Sequence, residues 1–138
     1  MAGLALNRFY HRKKEMQDIS MSYFGCYGKK SEALPLLAPV VGKALHAHQT
    51  GNYAAYRAVI TDKLAAMVSE EAFVQAYKEV SPLLGQMKSK KFLSSLRRGE
   101  DPVLLYKAKF TRTDDDILIQ VTFKNHSQPP LIDRLWIE

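Results

Sequence analysis

The sequence has little cysteine and no long apolar run, and each of these absences excludes a class of protein. Its 138 residues contain one cysteine, Cys26, so no disulfide can form within the chain. A lone cysteine is typical of reducing compartments, and we expect a cytoplasmic location. No apolar segment approaches the roughly 18 residues of a membrane-spanning helix, so no membrane partner is expected. The N-terminal segment does not have the order of charged and apolar residues expected of a secretory signal.

The sequence also lacks the short motifs that identify many enzymes and cofactor-binding proteins. It contains no glycine-rich phosphate loop, no nucleophile motif and no ligand pairs at metal-binding spacing. His46 and His48 lie two positions apart, so on a helix they point about 200° apart and cannot share one metal ion. The consecutive acids Asp114, Asp115 and Asp116 lack the alternating spacing of a calcium loop. No cofactor and no metal are therefore predicted.

The net charge of +6 is concentrated near the N-terminus. Residues 1–31 hold six Lys and Arg against two acids, whereas the rest of the chain holds fourteen basic and twelve acidic groups. This segment ends in the glycine- and aromatic-containing stretch SMSYFGCYGKK, which has the composition of a loop. We therefore predict an N-terminal extension at residues 1–31 and a single domain at residues 32–138.

Apolar residues at helical spacing predict a helical hairpin in the first half of the domain. The first helix is predicted within Leu36–Gln49, with Pro35 or Pro39 in its first turn, where a missing N–H group costs nothing. Gly51 is a natural C-terminal stop because it accepts a positive φ angle. Asn52 is expected to cap the second helix immediately afterwards.

A third helix is predicted to begin after Ser69, a favourable N-cap that is followed by two glutamates. It carries an apolar stripe made of Phe73, Ala76, Tyr77, Val80 and Leu84. Pro82 and Gly85 are expected to end it. Beyond Gly85 the apolar spacing changes from about 3.6 to 2, which indicates strands. Four strands are predicted, at residues 87–98, 103–111, 116–124 and 131–138. Their short connections favour an antiparallel meander, and helices before strands favour an α+β fold with the helices on one face of the sheet.

The segments TGNYAAYRAVIT and SEEAFVQAYKE, followed by the meander after Gly85, resemble the nuclear-transport-factor-2-like superfamily. The resemblance covers roughly residues 34–138 and is closest to small bacterial members. It implies a cone, in which the N-terminal helices pack in the concave face of a bent antiparallel sheet of about four strands. No clear strand pair separates the second helix from the third. This departure from the family pattern implies a smaller sheet and a shallower cone.

The resemblance implies that the helices close a space that is either a filled core or a ligand pocket. Some members of the wider family use this pocket for isomerisation or cyclisation, and others only bind or dimerise, so the fold does not decide the function. The favoured function is a non-catalytic small-ligand-binding or protein-interaction module. The side chains predicted to line a pocket for a small apolar ligand are Tyr56, Phe73, Tyr77, Tyr106, Phe110, Ile119 and Val121.

An alternative function is a cavity enzyme of the isomerase or lyase type that acts on a small apolar substrate. Asp133 shares a face with Leu131 and Leu135 in the last predicted strand, and burial in such an apolar row would raise its pKa. Tyr106 is the predicted donor beside it. There are two alternatives for Asp133: it is exposed to solvent, or it is paired with Lys107, Lys109 or Arg134. For the two histidines, the preferred interpretation is one exposed and one half-buried ring, and the alternative is a pocket base.

The outward face of the predicted sheet is too apolar to be fully solvated. Its members are Val103, Leu105, Leu118, Thr122, Ile132 and Trp136. We predict a homodimer through this face with Trp136 near its centre, because buried aromatic side chains are frequent anchors of interfaces. The alternative is that residues 1–31, with the apolar side chains Leu6, Phe9, Tyr23 and Phe24, cover this face in their own chain.

A basic set lies on the first two predicted strands, and it has two interpretations. Its members are Lys88, Lys90, Lys91, Arg97, Arg98, Lys107 and Lys109. Together with the basic N-terminal segment, it allows association with nucleic acid. Lysines on an edge strand also prevent edge-to-edge aggregation. The second interpretation is favoured, because the set contains no aromatic side chains for base stacking, and nucleic acid is not the expected partner.

Overall fold

A computed structural model describes residues 23–138, and predictions that fall on residues 1–22 lie outside this part of the chain. The fold is α+β, as predicted, with four helices before a four-stranded antiparallel sheet. After a 3-10 turn at Gly25–Tyr27, the helices are α1 (Lys30–Thr50), α2 (Tyr53–Arg57), α3 (Asp62–Met67) and α4 (Glu70–Leu84). The strands are β1 (Met87–Arg98), β2 (Asp101–Phe110), β3 (Thr113–Phe123) and β4 (Ile132–Ile137). Within residues 23–138, no helix is both long and apolar enough to cross a membrane.

The predicted helix boundaries at Gly51, Asn52 and Ser69 are confirmed. Gly51 ends α1 in the left-handed conformation, with φ of 67°, and its N–H group donates to the carbonyl of Ala47. The side chains of Asn52 and Ser69 each accept a backbone N–H group in the first turn of α2 and α4, respectively. A side chain could not replace the hydrogen of Gly51, because a Cβ atom there would lie 2.8 Å from the ring of Tyr77. The tight bend therefore brings α4 close to the end of α1.

The prediction for the start of α1 is wrong. The helix begins at Lys30, so Pro35 and Pro39 both lie inside it rather than in its first turn. Each proline removes one backbone hydrogen bond from the helix interior. The helix continues through them because its apolar stripe also does, with Ala33 and Leu37 fully buried against the rest of the core. Burial of this stripe offsets the missing bonds.

The sheet has the strand order β1-β2-β3-β4 of a simple meander. Its inner face packs against the helices, and Tyr106 and Val121 lie on this face as predicted. The other buried members of the inner face are Leu104, Ala108, Phe110, Ile119 and Phe123. Register shifts interrupt the pairing of each neighbouring pair of strands. Such bulges bend a strand and increase its twist.

One of these bulges reverses the predicted orientation of Ile132. Thr122 pairs with Arg134 and Phe123 pairs with Ile132, which leaves Asp133 as the extra residue of β4. Ile132 is therefore fully buried in the core, whereas Trp136 is 57% exposed on the outer face. The assignment of Ile132 to the outer face is wrong, because strict alternation does not include a bulge. The backbone of Ile132 is also bonded to the segment between α2 and α3, through the carbonyl of residue 59 and the N–H group of residue 61.

Part of the predicted N-terminal extension belongs to the packed core. Phe24 is 2% exposed and stacks on Phe92 of the inner face. Tyr27 is also buried, and its hydroxyl donates to the carbonyl of Lys124 at 2.7 Å. Phe24 therefore packs on the helical side of the sheet, not on the outer face that the alternative interpretation assigned to this segment.

Candidate functional site

A cavity of about 380 Å³ lies between the C-terminal half of α4, the end of α1 and strands β2 to β4. Its lining is mostly apolar and includes Leu45, Val80, Leu84, Phe110, Ile117 and Leu135. Pockets for small molecules have volumes of roughly 300–1,000 Å³ and mostly apolar walls with a few polar groups. The cavity therefore has the size and the lining of a small-molecule site.

The cavity exists because α4 packs tightly against the core only at its beginning. Phe73, in the first turns, is 2% exposed, but Val80 is 44% exposed and Leu83 is 70% exposed. The end of the helix is fixed away from the sheet centre, since the N–H group of Arg112 in the β2–β3 turn donates to the carbonyl of Leu84. The apolar stripe predicted for this helix is real, but its second half lines the cavity instead of filling a core.

His48 is a polar residue of the cavity lining whose ring is held by aromatic neighbours. Its ring packs on Tyr56 of α2 and on Phe73 of α4, with centroid distances of 4.8 and 4.9 Å. Its Nε2 atom is buried and has no hydrogen-bond partner among residues 23–138. Burial lowers the pKa of the His48 imidazole to about 4, so the ring is neutral at pH 7.

The preferred interpretation of the histidine pair is confirmed, since His46 is exposed and His48 is half-buried. What the sequence did not indicate is the surroundings of His48, because its aromatic neighbours come from two other helices. The other polar side chains in the lining are Gln49, Tyr77, Ser81 and Glu138. Gln49 is already engaged, since its Oε1 accepts the N–H group of Met87 at 2.9 Å.

The structure places two of the predicted pocket residues, Tyr77 and Phe110, in the cavity lining. The others are buried side chains of the core, namely Tyr56, Phe73, Tyr106, Ile119 and Val121. They face the helical layer as expected, but the layer is closed around them. The open space lies farther along the sheet, toward the C-terminal end of α4.

The structure does not bring Asp133 and Tyr106 together. Asp133 is 5% exposed and borders a depression on the outer side of the sheet, beside Arg98 and Trp136. Its Oδ1 accepts the hydroxyl of Thr61 at 2.8 Å, and its Oδ2 lies 3.6 Å from the Nζ of Lys63. Asp133 was expected on the inner face, and the bulge in β4 explains the difference. Its cation partner is a lysine of α3 rather than one of the predicted strand residues.

Tyr106 is buried on the inner face, outside the cavity lining. Its hydroxyl has no hydrogen-bond partner among the described residues. The Nζ atom of Lys90 lies 5.4 Å from the centre of its ring. Burial raises the pKa of Tyr106 and lowers that of Lys90. With Asp133 on the opposite side of the sheet, this tyrosine has no acid partner of the kind that the enzyme alternative requires.

The predicted outer face is a partly exposed apolar surface. Leu105, Leu118 and Thr122 are half-buried, and Trp136 is the most exposed member. Val103 also lies on this face, since it pairs with Thr122, but it is only 3% exposed. With Ile132 removed, the most exposed apolar members are Trp136 on the edge strand β4 and the two leucines, and Gln120 lies between Trp136 and Leu105.

The basic set does not form one continuous face. β1 is an edge strand, as the aggregation-protection interpretation requires. Lys90 lies over Tyr106 on the inner side, whereas Lys109 binds the acidic turn. The Nζ of Lys109 lies 2.7 Å from Asp116 and donates to the carbonyl of Asp114. The Lys109 hydrogen bond lowers the pKa of Asp116, so this turn is partly neutralised by its own hairpin.

Residues 23–138 contain no group of three or more His, Cys, Asp or Glu side chains arranged to hold a metal ion. Comparisons of the chain with protein-family models, with curated proteins and with solved structures found no match.

Proposed function

We propose that this chain is a non-catalytic binding module of the nuclear-transport-factor-2-like type, which holds a small apolar ligand between α4 and the sheet. The observation that carries the proposal is the cavity of about 380 Å³ with its mostly apolar lining. The separation of Asp133 from Tyr106 supports a binding role over the acid–base alternative. The proposal includes a cytoplasmic location, which the single cysteine of the sequence supports.

Filling the cavity tests this proposal. Ala76 lines the cavity on α4, so Ala76→Trp should place an indole in the ligand's space. We expect the Kd for 2-methylnaphthalene, measured by equilibrium dialysis, to rise at least about tenfold, which corresponds to about 1.4 kcal/mol. Ala66→Trp is the matched control, because Ala66 is exposed on α3 and outside the cavity lining. A wild-type protein that takes up no probe, or an equal loss in both variants, would contradict the proposal.

We also propose that two copies associate through the outer face of the sheet. The support is the partly exposed apolar surface around Leu105, Leu118 and Trp136, where the indole is 57% exposed. An exposed tryptophan within an apolar sheet face is typical of an interface anchor. Lys107 and Arg134 are exposed on the same side and would form the polar rim.

Sedimentation velocity over a wide concentration range tests the association. Trp136→Glu should shift the monomer–dimer equilibrium toward monomer by at least about thirtyfold in Kd, since an aromatic anchor of an interface contributes about 2 kcal/mol or more. Met67→Glu should leave the equilibrium unchanged, because Met67 is a similarly exposed apolar residue, at 63%, on a helix of the other layer. A wild-type protein that sediments as a monomer at every concentration would refute the interface.

A further inference from the structure

We propose that the ligand of the α4 cavity carries a hydroxyl group and that His48 is the residue that binds it. The inference rests on the proposed function, since it requires a ligand in the cavity. It narrows the ligand class from apolar molecules in general to compact alcohols or phenols, in which one polar group is attached to an apolar body.

The first observation is that His48 is a cavity-lining residue whose Nε2 is buried and unpaired within the described chain. Buried polar atoms are nearly always hydrogen-bonded, and leaving one unpaired is costly. Tyr56 and Phe73 position the ring by packing on it. Because no described residue bonds Nε2, this nitrogen keeps a hydrogen-bonding capacity that a polar group of the ligand would satisfy.

The charge of the site distinguishes a hydroxyl from an ionised group. The residues that line the cavity include no Lys or Arg but do include Glu138, so an anionic ligand would find no cation. His48 itself does not supply one, because burial keeps the imidazole neutral. A carboxylate or phosphate would therefore lose its hydration without a compensating charge.

The chemistry of a neutral imidazole selects a hydroxyl over other neutral groups. One ring nitrogen is a donor and the other is an acceptor, and which of them is protonated depends on the tautomer. A hydroxyl can donate or accept, so it satisfies Nε2 in either tautomer. Gln49, the nearest alternative along α1, already accepts a backbone N–H group from β1. The apolar lining then contacts the remainder of the ligand.

Two probes of equal size separate this inference from the proposed function. 2-Naphthol and 2-methylnaphthalene differ by a hydroxyl in place of a methyl group. We expect His48→Phe to weaken 2-naphthol binding about tenfold while 2-methylnaphthalene changes by less than about threefold, since one hydrogen bond is lost and the aromatic packing is kept. His48→Gln, which keeps a polar side chain, should recover part of the preference for 2-naphthol. Equilibrium dialysis gives the four affinities of wild type and His48→Phe.

A measurement on the wild-type protein avoids any dependence on how well the variants fold. The ¹⁵N resonance of His48 Nε2 should shift when 2-naphthol is added, and its shift with 2-methylnaphthalene should be different, because only 2-naphthol can form a hydrogen bond with this nitrogen. One outcome refutes the hydroxyl assignment but not the binding module. In that outcome both probes bind, the ratio of their two Kd values is the same in His48→Phe as in the wild type, and the Nε2 resonance responds equally to both probes. If neither probe binds the wild-type protein, the proposed function itself is refuted.

Discussion

Phe73→Ala should lower the free energy of unfolding by about 3–5 kcal/mol, the range for removing a buried phenylalanine side chain. Phe73 is 2% exposed and connects three aromatic neighbours, with centroid distances of 4.8 Å to Tyr56, 4.9 Å to His48 and 5.6 Å to Tyr53. These neighbours belong to α1 and α2, so this ring joins α4 to both helices of the hairpin bent at Gly51. Urea denaturation followed by circular dichroism measures the loss.

The matched control lies on the same helix. Val80 is 44% exposed, so Val80→Ala should cost less than about 1 kcal/mol. Comparable losses of unfolding free energy in the two variants would mean that α4 is not anchored at Phe73. The cavity could then not be explained by tight packing at the beginning of α4 alone. The two variants differ because the apolar stripe of α4 is buried at Phe73 and exposed at Val80, which leaves space between the second half of the helix and the sheet.

The local features of this fold could be predicted because their causes are local. Gly51, Asn52 and Ser69 act through their own backbone conformation or through an N–H group within one turn. The strand positions and the inward orientation of Tyr106 and Val121 follow from a period of two, which holds wherever no residue is inserted. The fold class follows from the order of these elements.

The features that could not be predicted depend on residues distant in sequence. Ile132 faces inward because its backbone is bonded to the α2–α3 connection, more than seventy residues earlier in the chain. Nothing in the alternation of β4 marks Asp133 as the extra residue. In the same way, the stripe on α4 predicts an apolar face but not whether a core or a cavity lies opposite Val80. The environment of His48 likewise depends on distant residues, because the aromatic rings that pack on it belong to two other helices.

The burial of His48 also predicts a loss of stability in mild acid. The pKa of its ring is about 4 in the folded protein and 6.5 ordinarily, so between these values the unfolded chain binds more protons than the folded one. Stability should therefore fall as the pH drops below about 6.5, by about 2 kcal/mol at pH 5, and level off near 3 kcal/mol below about pH 4. Desolvation is the cause of the lowered pKa, so added salt should change the effect little.

Urea unfolding at pH 7 and pH 5 isolates this contribution, since most carboxylates stay ionised over that interval. Between pH 7 and pH 5 the free energy of unfolding should fall by about 2 kcal/mol more in the wild-type protein than in His48→Phe, whose ring cannot take up a proton. His46→Phe is the control for replacing a histidine of the same helix, because His46 is exposed. An NMR titration that gives His48 an ordinary pKa would contradict both the pH effect and the neutral imidazole on which recognition of a hydroxyl depends. Phe73→Ala links the two experiments. Removing the Phe73 ring should expose the His48 imidazole to water, return the pKa of His48 toward 6.5 and weaken the pH dependence of stability.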